Sequence, residues 1–245
     1  MKVAYFDCFS GVAGDMILGA LIDAGCPPVY LKRMLCKLGL KGYTLRIKRV
    51  RYNHVSGVDV EVKYEDTKKH RNLSDIKELI MNSTLDEPVK EYSLRVFYKL
   101  AEAESRVHDE PINKVYFHEV GAVDSIIDVV GSMICYYYHN MEKVYSSPLP
   151  MGSGFVSCVH GLLPVPAPAT VELLRDIPVY SDERRYELVT PTGAAILTTI
   201  ANHYGCMPLM RISSVGYGAG KTKHEYPNML RVFIGELIQK KKKNR

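Results

Sequence analysis

Between residues 120 and 138 the apolar side chains Val123, Ile126, Ile127, Val130, Ile134 and Tyr137 return at steps of three and four. That is the spacing of one face of an α-helix. A stripe so continuous has to be covered by another layer, and the rest of the chain supplies candidates for it. Residues 2–6 read as a short buried strand, and residues 43–52 and 56–64 alternate as two strands joined by a turn near 53–57. Residues 207–217 and 229–238 alternate as strands on either side of the glycine-rich stretch GYGAGKTKH. Helical spacing recurs over residues 13–24, 73–82, 87–107, 167–174 and 192–204, the third of these segments being the longest. The expected architecture is α/β with an α+β tendency, a mixed sheet flanked by helices.

Residues 148–168 contain Pro148, Pro150, Pro164, Pro166 and Pro168 together with Gly152, Gly154 and Gly161. This combination breaks regular structure and marks a domain junction or a preorganised substrate loop. Residues 1–239 are accordingly read as one region in which two lobes could meet near 148–168, and residues 240–245 as a basic tail. With 245 residues, 47% of them apolar and 24% charged, the chain has the profile of a soluble globular protein without a membrane-crossing tract. The formal charge of +5 is carried by Lys240, Lys241, Lys242, Lys243 and Arg245, so the remainder sums to about zero and nucleic acid is not an expected partner. The start of the chain lacks a signal-peptide pattern, which predicts a cytoplasmic protein. Its six cysteines stand singly without a CxxC pair, against a disulfide framework or zinc knuckle.

The first chemical constellation is FDCFSGVAGDM, residues 6–16. A strand ending at Asp7 and a helix starting near Ala13 or Gly14 would aim free backbone N–H groups into the turn, with Gly11 and Gly14 permitting close backbone approach of a ligand. Asp7 and Asp15 would repel a phosphate unless a cation sat between them, so a metal ion or a cationic substrate suits the corner better. The plainer alternative is a helix-capping Asp15 and a hydrogen-bonding Asp7. The second constellation, FHEVGAVDSIIDVVG, puts His118 and Glu119 at the start of the patterned helix, within reach of one divalent ion or one proton-transfer path. Asp124 and Asp128 share the opposite, polar face and point at solvent, another helix or a site. The proline-rich loop holds one titratable group, His160. Thr190 and Thr192 at a helix start, and Lys221 in the glycine-rich turn, are suited to a phosphorylated ligand.

In order, the stretches FDCFSGVAGDMILGAL, FHEVGAVDSIIDVVG, PLPMGSG, HGLLPVPAPAT, ELVTPTGAAIL and GYGAGKTKHEYPNMLRV resemble the LarC family of nickel insertion proteins, over essentially the whole chain to about Glu236. The resemblance implies a lyase-type nickel chelatase that inserts nickel into pyridinium-3,5-bisthiocarboxylic acid mononucleotide with hydrolysis of CTP. It implies Asp7, Cys8, Asp15, His118 and Glu119 as nickel-delivery ligands and Glu119 or His118 as the base that takes the ring proton. Substrate would lie along Ser10, Gly11, Gly14, His160, Thr190, Thr192 and Lys221. CTP and its divalent cation would bind a C-terminal region or polypeptide, and a homo-oligomer is expected. A nickel- or substrate-binding accessory module without turnover is the alternative. Two features depart from the family pattern: Tyr116 stands where members commonly have a second histidine, and the loop EDTKKHRN holds only His70 where many carry a histidine-rich insertion.

Overall fold

Alternation in the first residues builds β1 (Lys2–Asp7), in which Ala4 and Phe6 enter the main hydrophobic core. Tyr5, between them, meets Phe233 at 6.4 Å between ring centroids. This computed structural model describes residues 1–65, 71–117, 122–158, 161–222 and 225–238. After β1 come α1 (Gly14–Asp23), α2 (Pro28–Cys36), and the long hairpin of β2 (Tyr43–Tyr52) and β3 (Val55–Tyr64). Next are β4 (Arg71–Asn72), α3 (Leu73–Met81), α4 (Glu87–His108), β5 (Tyr116–Phe117) and α5 (Val123–Tyr138). The chain continues through β6 (Lys143–Ser146), β7 (Leu149–Met151), β8 (Phe155–Cys158), β9 (Gly161–Pro164), α6 (Pro168–Leu173) and β10 (Val179–Ser181). It closes with α7 (Pro191–Ile200), β11 (His203–Tyr204), β12 (Met210–Ala219) and β13 (Met229–Leu237).

The main sheet has the order β11-β6-β1-β13-β12-β3-β2. Pairing is parallel among β11, β6 and β1, antiparallel from β1 through β13 to β12, parallel between β12 and β3, and antiparallel within the β2–β3 hairpin. The mixed sheet with helices is the architecture expected from the sequence. No described helix is long and apolar enough to cross a membrane.

What positions the corner after β1 is the bed of α1. A Cβ at Gly218 would lie 1.8 Å from the Met16 carbonyl oxygen, and one at Gly216 would lie 2.1 Å from that of Ala20. Only glycine lets the helix backbone rest on β12 at this distance. On its other side α1 packs against α5, where Gly131 receives Leu18. The patterned stripe of α5 is therefore buried against α1, with Ile126, Ile127 and Val130 fully covered. The start of α7 meets the start of α1, since a Cβ at Gly193 would fall 2.4 Å from the Val12 carbonyl oxygen.

Several elements differ from the sequence reading. Helix α2 is not among the helical segments read from the sequence; it starts at a Pro-Pro pair, and proline fits the first helical turn, where its missing N–H is not needed. Helix α7 stops at Ile200, because the Asn202 side chain accepts from the Val144 N–H and β11 then joins β6. The proline-rich stretch holds β7 and the β8–β9 hairpin, both in two-stranded pairings outside the main sheet where a missing N–H is tolerated.

Candidate functional site

The corner after β1 is pinned by backbone geometry. Gly11 donates to the Cys8 carbonyl at 2.9 Å, Val12 donates to that of Leu188 at 2.8 Å, and Thr190 returns a hydrogen bond to Val12 at 3.0 Å. Gly11 has φ of +92°, and a Cβ there would stand 1.9 Å from the Leu188 carbonyl oxygen. The turn is thus fastened to the segment that leads into α7, and the N-termini of α1 and α7 come side by side. Thr190 caps α7 by accepting from the Gly193 N–H at 3.1 Å.

The two aspartates of this corner receive different partners. Asp7 accepts from the Arg231 guanidinium at 2.5 and 3.1 Å, and that guanidinium lies over the ring of Phe233 at 4.8 Å. Asp15, in the first turn of α1, lies 3.5 Å from the Lys221 ammonium. Lys221 is held more closely by Asp59, at 2.6 Å, and by the Val60 carbonyl, and Asp59 also pairs with Lys48 at 3.1 Å. Burial raises the Asp15 carboxyl above its ordinary value, and Lys221 with the Met16 N–H offsets only part of this. Asp59 is also disfavoured by burial, yet its bonds to the two lysines outweigh that and hold it below the ordinary value. Asp128 of α5 sits over the start of α1: a Cβ at Gly14 would lie 3.0 Å from its Cβ and 3.1 Å from its Oδ2. Burial first, then the charges of Asp15 and Asp124, push the Asp128 carboxyl well above the usual range. Burial thus favours the protonated form of both acids, and a carboxyl pair of this kind can exchange a proton with a bound ligand.

Cys8 is fully buried beside Ser146 and Ser147, and burial pushes its thiol up to about 12. A thiol so protected is protonated and closed to solvent, and the structure places Cys8 in the hydrophobic core. Ser10 accepts from Arg184 at 3.1 Å, and the same guanidinium holds the Phe9 carbonyl and the Asp182 carboxylate. Each aspartate of the corner thus has a cation of the protein beside it, Arg231 at Asp7 and Lys221 at Asp15. Among the described residues no three His, Cys, Asp or Glu side chains stand together as a metal-holding group. His118, Glu119 and His160 lie outside the described residues.

Asp15 opens onto a cleft of about 410 Å³ bounded by the start of α1, the segment before α7, and the turn between β12 and β13. Its polar lining includes Arg185, Glu187, Thr190, Lys221 and Asn228. Of the substrate residues expected from the sequence, Thr190 and Lys221 face this cleft, whereas the Thr192 methyl packs against Gly14 and Ser10 is tied to Arg184. A second cavity, of about 250 Å³, shares Val156 and Glu187 with the first. There His108 Nε2 is 3.3 Å from Glu104 Oε2, and Cys158 is part of the same wall. Asp59, Arg184 and Arg185 were not singled out by the sequence. The one signal for Asp59 is a charge inside the alternating strand VDVEV.

The family model described as "Nickel insertion protein" matches residues 4–245. A relative from Dictyoglomus thermophilum, provisionally named a nickel insertion protein, is 51% identical over 245 residues, covering all of this chain and 64% of its own length. The pyridinium-3,5-bisthiocarboxylic acid mononucleotide nickel insertion protein of Desulfitobacterium hafniense is 47% identical over 242 residues, covering 99% of this chain and 60% of its own length. The chain thus spans about three fifths of the length of the curated relatives it matches. No solved structure matches it.

Proposed function

The chain belongs to the nickel insertion protein family, and from that premise we propose that it forms the substrate-holding part of an enzyme that inserts nickel into pyridinium-3,5-bisthiocarboxylic acid mononucleotide. The observation that carries this reading is the cleft at the start of α1, which combines an acid group of raised pKa with polar groups suited to a nucleotide. Its substrate carries a pyridinium cation, two thiocarboxylates and a phosphate, so it needs both signs of charge in one cleft. Asp15 offers the negative charge for the ring, and the opposite wall offers cations and hydrogen-bond donors.

Insertion forms two nickel–sulfur bonds and one nickel–carbon bond, and the carbon must give up its ring proton as the metal replaces it. A carboxylate whose pKa is raised by burial is a stronger base, and so a better acceptor for that proton, than an ordinary surface one. Asp15 is placed for this role within the cleft, with Asp128 behind Gly14 as the group that helps set its protonation. His118 and Glu119 remain proposed partners in metal delivery and proton removal. CTP hydrolysis is assigned to the length of the family protein that this chain does not span. A nickel- or substrate-binding module without turnover is the second reading.

Mass spectrometry separates the two. The chain is incubated with nickel, the mononucleotide and CTP, alone and with the remaining part of a family protein. Nickel adduct in either mixture supports the enzyme. Bound nickel or substrate with no adduct in both supports the module, and neither binding nor adduct overturns both readings.

A further inference from the structure

The cleft beside Asp15 has three cationic side chains on or next to its wall, and their partners differ. Lys221 donates to the Asp59 carboxylate and the Val60 carbonyl and lies near Asp15. Arg184 is spent on the Asp182 carboxylate, the Ser10 hydroxyl and the Phe9 carbonyl, all within 3.1 Å. It holds the corner to the irregular segment that follows β10, and it does not line the cleft. Arg185, the next residue, is exposed, lines the cleft, and has no ion pair or hydrogen bond among the described residues. Adjacent arginines thus divide into a structural fastener and an uncommitted guanidinium.

Two carboxylates, Asp15 and Glu187, line the same cleft and would repel a phosphate. A dianion bound there needs a cation whose charge is not already taken by an aspartate. We propose that Arg185 is the phosphate anchor of the cleft, binding the 5′-phosphate of a mononucleotide with its planar fork of N–H donors. The Thr222 and Asn228 edge of the cleft is then left for the sugar, and the Asp15 floor for the cationic ring. Lys221 becomes a structural residue that orders the acid group instead of the phosphate ligand suggested by its glycine-rich turn. This assignment rests on the function proposed above and names the residue that selects the phosphorylated form.

The test compares two ligands by calorimetry: the pyridinium mononucleotide and the same nucleoside without its phosphate. For the wild-type chain the phosphorylated ligand should bind more tightly. Arg185→Ala should lose about 10- to 100-fold for the mononucleotide, the range of a charge-assisted hydrogen-bond set. Its affinity for the nucleoside and its thermal midpoint should stay unchanged, because the side chain has no partner among the described residues to lose. Arg185→Lys should recover part of the loss. Wild-type preference for the phosphate that persists in Arg185→Ala overturns the anchor while leaving the function standing. A wild-type chain that binds neither ligand overturns both.

Discussion

Asp7 and Asp15 flank one turn and look alike in the sequence, but the fold gives them opposite circumstances. Asp7 has a cation to itself: Arg231 grips one carboxylate oxygen and is backed by aromatic rings. Asp15 stands beside a lysine that Asp59 holds more closely, with a second acid, Asp128, across Gly14. A satisfied carboxylate fastens structure. One left with a fraction of a counter-charge in a half-closed cleft holds its proton more readily and can exchange it. The difference shows that the circumstances of the two acids are decided by how cations are shared, more than by where acids occur.

The largest expected effect removes the corner altogether. Gly11→Ala forces a side chain onto a left-handed backbone and into the Leu188 carbonyl, and should cost about 3 kcal/mol or more in a denaturant titration. Next, Asp7→Asn should lower stability by about 1–3 kcal/mol by breaking a charge-assisted pair, whereas Asp15→Asn should leave stability unchanged or improve it. Equal losses in both variants would erase the distinction between the two aspartates.

The pH dependence sharpens the contrast around Lys221. Asp59 has a folded-state pKa below its ordinary value of 3.8, so its contribution is present above that pH and lost as the solution is acidified through the folded value. Asp59→Asn should therefore be destabilising at pH 7, with the deficit shrinking as the pH falls below 3.8 and through the folded-state value. Asp15, raised in the fold, has the opposite sign: it is favourable when protonated and loses that advantage as pH rises above 3.8. Thermal midpoints of the two variants at pH 3, 5 and 7 should diverge from the wild type in opposite directions. The smallest effect lies away from the corner, at His139, whose ring bonds the Leu21 carbonyl at 2.8 Å. Burial lowers its pKa below 6.5, so it should favour folding above that value and cost stability as pH falls below it. A His139→Gln chain should show a shallower decline between pH 7 and 5.

Much of the frame could be read from local pattern. The stripe of α5, the β2–β3 hairpin and the Thr-Pro start of α7 each follow from spacing or capping within a few residues. The acids of the first turn were visible for the same reason. Their partners were not, because Arg231 and Lys221 approach from more than 200 residues away, through a sheet order that local periodicity does not encode. Asp128 was legible as one of two acids on a polar helix face, but its position over Gly14 depends on how α5 crosses α1. The proline-rich segment concealed its strands because they lie in isolated pairs, where the usual argument against proline in a sheet loses its force.

The measurement closest to the central claim is nickel-adduct formation by Asp15→Asn, followed by mass spectrometry in the mixture that supports the wild-type reaction. If Asp15 is the acid group of the cleft, the rate should fall by about 100-fold or more, the scale of a lost proton-transfer group, with the thermal midpoint held or raised. An Asp15→Asn protein that forms adduct at the wild-type rate would contradict the account and return the corner to a purely structural role.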